Sequence, residues 1–322
     1  MIYFITVNYY SGELIARLID SIRSQCSTQL ACQLVIVNNS IADHSLTNLI
    51  KAPSQDIWEY FSVKLINSPD NIGFGRACNL GLEWVYAQAP QAIAWLINPD
   101  AYLPAGAIAK LWQLQQSHRN LSIIGTSVYD PKQRQYFVGG TFSPDTGLIQ
   151  EEFGAIDVTD ARESELIQAN HNQAAEAVNN QIDWVSGCSL VINLAQFNHC
   201  PMFDPDYFLY YEDFDFCRRY VCQGHSMAIA TQIHVIHQTS ALTSANPGFK
   251  LKQEIYSYLL SLSKHAQKIA LIYRLLRIFG VALLQIVVKP KVSIAKLQGV
   301  LLYARYSFLG NPSSASSIKN DR

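Results

Sequence analysis

The chain has 322 residues, 49% of them hydrophobic, with a formal net charge of −1. That allows one large packed domain with an appendage and excludes a disordered or fibrous chain. The charge is split: residues 1–254 hold 14 Lys and Arg against 24 Asp and Glu, whereas residues 255–310 carry eight basic residues and no acid. An acidic main region argues against nucleic acid as a partner. Seven cysteines with no C-x-x-C pair argue against a disulfide framework or zinc ribbon, so a reducing, cytoplasmic setting is expected.

MIYFITVNYY, residues 1–10, alternates in polarity and lacks the basic n-region and cleavage site of a signal peptide, so it reads as a first strand. ELIARLIDSIRSQ then carries apolar residues at helical spacing. QLVIVNNS and SVKLINS read as the second and third strands, a helix is expected over about 76–88, and IAWLINPD reads as the fourth strand. This alternation predicts an α/β fold with a Rossmann-like, mostly parallel central sheet and helices on both faces. Ligands of such sheets bind beyond the carboxyl ends of the strands. Here those ends are polar: Asn8-Tyr9, Asn38-Asn39-Ser40, Asn67-Ser68 and Asn98-Pro99-Asp100. Turn formation accounts for any one of them; four converging on one rim mark a site.

In NIGFGRACNLGL, residues 71–82, Gly73 and Gly75 allow close backbone approach, while Arg76 and Asn79 stand at a helix start, where free N–H groups attract an anion. The run matches neither the P-loop nor G-x-G-x-x-G, which argues against ATP and NAD. WVSGCSLVI, residues 184–192, places Gly187 before an apolar strand, a position either for close approach of a ligand or for a bulge.

FDPDYFLYYEDFDFCRRY, residues 203–220, crowds Asp204, Asp206, Glu212, Asp213 and Asp215 among aromatic rings. Clustered like charges raise carboxyl pKa values, and Arg218 or Arg219 would oppose that. Residues 213–217 also fit the first turn of an amphipathic helix with acids at its positive end. Asp204 and Asp206 read as turn formers around Pro205, and Tyr207, Phe208, Tyr210 and Tyr211 as apolar faces for a ligand ring. In KIALIYRLLRIFGVALLQIVVKPK, residues 268–291, the charge-free core covers only residues 278–288, short of the roughly 20 residues that span a bilayer. Its flanking cations suit an amphipathic element on an anionic membrane surface. The alternative is a helical layer packed on the preceding domain or in a homodimer.

Taken in order, VNY at 7–9, VNNS at 37–40, N-x-G-F-x-x-x-x-N at 71–79, LINPDA at 96–101, WVSGCSLVI, FDPDYFLYYEDFDFCRR at 203–219 and HQTS at 237–240 resemble the family 2 inverting nucleotide-sugar glycosyltransferases of GT-A fold. Within them the chain looks like the rhamnosyltransferase-like branch. The resemblance covers about residues 2–242. It implies a catalytic domain over 1–242 and a basic helical C-terminal segment over 243–322, frayed from about 311. It implies transfer of a sugar, rhamnose from a dTDP carrier by branch, from a nucleotide diphosphate-sugar donor to a glycan or lipid-linked sugar acceptor in surface-polysaccharide assembly, peripheral at the inner face of the plasma membrane.

Residue by residue, the resemblance assigns donor contacts to Asn8, Tyr9, Asn38, Asn39, Asn71, Gly73, Phe74, Arg76, Asn79, Asn98 and Gly187. It assigns a divalent cation, Mg²⁺ or Mn²⁺, to Asp100, with His237 as second ligand in the position of the family's H-x-x-S motif. The leaving diphosphate gathers negative charge, which such a cation on hard oxygen ligands neutralises. The acceptor hydroxyl must lose a proton to a carboxylate within hydrogen-bond reach. By resemblance that base is Asp213, with Glu212 beside it. Many relatives carry Asp where this chain has Asn38, which leaves the nucleotide base open. Two rival readings are a non-catalytic nucleotide-sugar-binding module and a nucleotidyltransferase; the latter lacks its Gly-rich basic loop in TVNYYSGELIARL.

Overall fold

The strands follow from runs rich in Val, Ile and Leu, and the helices from apolar residues three and four apart. The computed structural model describes residues 1–40, 43, 45, 46, 60–131, 135–155, 178, 179, 182–238 and 246–309. The strands are β1 (Ile2–Asn8), β2 (Cys32–Asn38), β3 (Phe61–Asn67), β4 (Ile93–Ile97), β5 (Ala101–Tyr102), β6 (Ile123–Tyr129), β7 (Gln135–Ser143), β8 (Leu148–Ala155), β9 (Val178–Asn179), β10 (Ser189–Asn193) and β11 (Met227–His237). The helices are α1 (Gly12–Arg23), α2 (Phe74–Gln88), α3 (Ala107–Ser117), α4 (Glu212–Cys222), α5 (Pro247–His265), α6 (Lys268–Gln285) and α7 (Pro290–Leu309).

One sheet runs β3-β2-β1-β4-β10-β6-β11-β5. Its first half is the parallel sheet expected, with β3, β2, β1 and β4 side by side. Beyond β4 the direction changes, because β10 lies antiparallel between β4 and β6. The sheet is therefore mixed, and β10 begins at the edge where β1 to β4 end. Both faces are covered: Ile2 and Phe4 of β1 face a cluster with Ile15, Leu18, Ile108 and Leu111. Tyr3, Ile5 and Val7 face Ala77, Leu82, Phe214 and Phe216 on the other side. β4 is buried along its whole length, and its Trp95 satisfies the ring N–H on Ser189 Oγ at 2.9 Å.

The basic C-terminal stretch is helical, as expected. Asn246 caps α5 by accepting from the Phe249 N–H at 3.0 Å, with Pro247 at the first helical position. Tyr256, Leu259 and Leu260 of α5 and Tyr303 of α7 bury Tyr207. The expected domain boundary at 242–243 and the expected frayed end from 311 lie outside the described residues. Among the described residues no helix is long and apolar enough to cross a membrane.

Candidate active site

Parallel register sets Asn8 level with Asn38, and Asn38 level with Asn67. Their side chains bond to one another. Asn8 Nδ2 donates to Asn38 Oδ1 at 3.0 Å and to Ser40 Oγ at 3.2 Å, while its Oδ1 accepts from the Ser11 N–H and hydroxyl. Asn38 in turn donates to Asn67 Oδ1 at 3.2 Å. The buried amides Asn8 and Asn38 and the exposed Asn67 spend these hydrogen bonds on joining three strand ends, which shapes the rim. Tyr9, 47% exposed, is the member of this group with a ring open to a ligand. Tyr10 beside it has φ 52°, a left-handed conformation rare for a bulky residue.

Asn39 ties the next loop to the rim, donating to Asn71 Oδ1 at 2.9 Å and accepting from the Ile72 N–H at 3.0 Å. Gly73 follows with φ 89°, and a Cβ there would come within 2.2 Å of the Phe208 carbonyl oxygen. Only glycine fits. Phe74 donates its N–H to that same oxygen at 3.0 Å. Arg76 and Asn79 go to the same segment: Arg76 Nε donates to Pro205 O at 2.7 Å, and Asn79 exchanges hydrogen bonds with the Phe203 backbone at 2.7 and 2.8 Å. In this structure the two polar side chains at the start of α2 hold the 203–208 stretch.

Asp100 and His237 meet because β5 pairs antiparallel with the end of β11, setting His237 opposite Ala101. His237 Nε2 lies 3.0 Å from Asp100 Oδ1, and Asn98 Nδ2 lies 3.5 Å from the same ring nitrogen. Burial opposes a charged imidazole here, but Cys188 and the Asp100 carboxylate outweigh it and lift His237 to about 10. Among the described residues no group of three or more such ligands gathers. A cation seated on Asp100 would have to displace the proton that His237 holds; the carboxylate and the neutral imidazole would then be two ligands, with water and other oxygens in the remaining positions.

Asp213 sits half-buried on the first turn of α4, where its carboxylate accepts the Gly187 N–H at 2.7 Å through Oδ2 and the Phe214 N–H at 2.8 Å through Oδ1. Gly187 is small for this reason: a Cβ there would lie 3.3 Å from Asp213 Cβ and from the Phe74 ring. The residue before the helix, Tyr211, has φ 61°, and Tyr210 has φ 70°, so the backbone is strained where it presents the acids. Burial raises the Asp213 carboxyl above its usual range, and the N–H groups of Gly187 and Phe214 oppose that rise. Glu212 turns the other way, under Gly75 of α2, and its Oε2 is buried with no hydrogen-bond partner among the described residues. Burial, then the charge of Asp213, pushes it up to about 8. The chain thus separates two adjacent carboxyls into one oriented and reachable, and one buried.

The turn at 187–188 links the two centres. Gly187 holds Asp213, while the Cys188 carbonyl accepts the Asn98 N–H at 2.9 Å and its thiol neighbours His237. Tyr207, expected to face a ligand, is fully buried with its hydroxyl 3.1 Å from Ser261 Oγ. Of the two arginines expected near the acids, Arg219 does pair with one of them, Asp215, at 2.6 Å, whereas Arg218 goes to Asp183 at 2.5 Å. Sequence reasoning missed Asp183, His265 and Glu151. Glu151 of β8 has a carboxyl raised by partial burial and then by the charge of Asp213. No spacing signals these three; a lone histidine in the otherwise Lys- and Arg-bearing tail was the nearest hint. Of the HQTS run, residues 239 and 240 lie outside the described residues.

A model described as glycosyl transferase family 2 matches residues 3–185. The low-salt glycan biosynthesis hexosyltransferase Agl10 of Haloferax volcanii is 23% identical over 233 residues, covering 72% of this chain and 66% of its own. Among solved structures, GalNAc-T7 with UDP, GalNAc and Mn²⁺ superposes with a TM-score of 0.56 at 12% identity, over 82% of this chain and 47% of that one. The mannosyltransferase PcManGT from Pyrobaculum calidifontis, in complex with GDP-Man and Mn²⁺, gives 0.53 at 12% identity, over 98% and 77%. The chain therefore spans just under two thirds of the curated relative and about half of the first structure. At these identities the structural likeness carries the fold, which is GT-A.

Proposed function

The chain belongs to glycosyl transferase family 2, and from that premise we propose that it moves a hexosyl group, with inversion, from a nucleotide diphosphate-sugar to a hydroxyl of a glycan or lipid-linked sugar. The observation that carries this reading is the Asp213 carboxylate, aimed by two backbone N–H groups and tied through one turn to Asp100 and His237. Asp213 takes the proton of the acceptor hydroxyl as that oxygen bonds to the anomeric carbon. The bond from that carbon to the diphosphate breaks on the opposite face, and its electron pair leaves with the diphosphate. A single displacement of this kind inverts the anomeric centre and needs no covalent nucleophile, which leaves Cys188 outside the chemistry.

Asp100 and His237 would hold Mg²⁺ or Mn²⁺, which when bound neutralises charge on the departing diphosphate. Both structural relatives named above were solved with Mn²⁺, and the Asp100 and His237 side chains suit that ion. Tyr9 offers its exposed ring to the nucleotide base, and Asn8, Asn38 and Asn39 shape the rim beneath it. The donor sugar is read as rhamnose, on the resemblance to the rhamnosyltransferase-like branch.

The test is a panel of dTDP-, UDP- and GDP-sugars screened for Mn²⁺-dependent thermal stabilisation, followed by transfer assays. A ligand present at 100 times its Kd adds about 2.7 kcal/mol of stability. If no nucleotide diphosphate stabilises the protein with cation present, the transferase reading fails. Binding without transfer to any acceptor would favour a nucleotide-sugar-binding module, against which the joint presence of Asp100 and Asp213 argues.

A further inference from the structure

Helix α6 is apolar on both sides. Its inner side packs Ala270, Leu271, Leu275 and Ala282 against the rest of the protein. Its outer side sets Ile269, Ile272, Tyr273, Leu276, Leu283 and, in the turn that follows, Val287 into one stripe at spacings of three and four, all exposed. Ile269 is 78% and Val287 88% exposed. A helix with no polar side is found inside proteins or in contact with lipid. This stripe is too continuous to count as scattered surface residues.

The charges around it name the occupant. Lys268 and Arg277 are exposed at the margins of the stripe, Lys289 in the turn between α6 and α7, and Lys291 in the first turn of α7. No Asp or Glu occurs anywhere in residues 255–309. A second copy docking through this face would bring like charges together, which opposes association. A bilayer with anionic headgroups answers both features, since acyl chains accept the stripe and headgroups pair with the cations.

We propose that α6 and the turn at 286–289 lie flat in the interface of an anionic membrane, with the helix axis along the surface. Arg274, which donates from Nε to the Thr146 carbonyl at 2.8 Å, fixes α6 to the β7–β8 turn. The same hairpin carries Glu151, whose carboxyl feels Asp213. The hairpin that fixes α6 thus also carries a carboxyl within electrostatic reach of Asp213. The docking does not depend on the transferase reading and is measured without any nucleotide sugar.

Vesicle flotation of the full chain tests it, with phosphatidylcholine alone and with added phosphatidylglycerol. Binding should require the anionic lipid and weaken as salt rises. The double variant Leu276→Ser/Leu283→Ser should abolish binding with the circular dichroism spectrum unchanged, because both side chains are exposed. Lys289→Gln/Lys291→Gln should weaken partitioning by on the order of tenfold or more. Truncation is unsuitable, because α5 and α7 are packed into the fold. Absence of binding at low salt, equal binding to neutral vesicles, or binding unmoved by the Leu276/Leu283 variant would overturn the proposal. A stable dimer that the same variant disperses would show that a second copy covers the stripe instead.

Discussion

Asp215 and His265 lie 2.8 Å apart, a bond that joins the acidic helix α4 to the C-terminal helix α5 across 50 residues of sequence. Asp215 is fully buried and is also held by Arg219 at 2.6 Å. Burial alone would raise its carboxyl, but His265 and Arg219 overcome that and keep it below its ordinary value. With the folded value depressed, this contribution to stability is present above the ordinary Asp range and is lost as pH falls through the folded value. Asp215→Asn should therefore cost about 3–5 kcal/mol in urea unfolding at neutral pH, the usual cost of breaking a buried pair. The deficit relative to wild type should shrink on acidification. An unchanged midpoint would show that the pair contributes nothing to stability.

Turnover should depend on Asp213 far more than binding does. Asp213→Asn keeps an acceptor for the Gly187 N–H but removes the proton acceptor, so transfer should fall by about 10² to 10⁴. Donor affinity, read by calorimetry, should hardly move. A folded variant with near-normal transfer would remove Asp213 as the base.

Glu212 has a distinct signature. Its carboxyl is raised from 4.5 to about 8, so between those values the folded protein keeps a proton that the unfolded chain has released. Its effect on stability is therefore unfavourable with rising pH across that window and levels off above it. Glu212→Gln, permanently neutral, should be more stable than wild type above neutrality and should lack this pH dependence in thermal unfolding. If the two proteins melt in parallel from acid to mildly basic pH, Glu212 is not held protonated.

Metal dependence should follow the Asp100–His237 pair. Asp100→Asn should weaken Mn²⁺-dependent nucleotide binding by tenfold or more, on the order of the 1.4 kcal/mol that one decade represents, and should leave the fold intact. His237→Ala should produce a smaller loss if water replaces the imidazole, as Mg²⁺ sites commonly allow. Unaltered Mn²⁺ titrations for both variants would place the cation elsewhere.

Much of this arrangement can be read from residue order. Alternating and continuous apolar runs mark β1, β2 and β4, and polar residues at 8, 38, 67 and 98–100 mark the ends where the site lies, because periodicity and strand-end polarity are local properties. The same local signal placed Arg76 and Asn79 at a helix start, yet had no means of indicating that both would reach the 203–205 backbone.

What residue order leaves open is which distant groups meet. The antiparallel course of β10 brings the Gly187 N–H to Asp213, 26 residues away, and a short β5–β11 pairing brings His237 to Asp100. The neighbours Glu212 and Asp213 look alike in sequence, and only packing beneath Gly75 buries one while the other stays reachable. A hydrogen bond between remote residues leaves no periodic trace. Whether a carboxylate is oriented, neutralised or paired depends on the dielectric and donors that folding assembles around it.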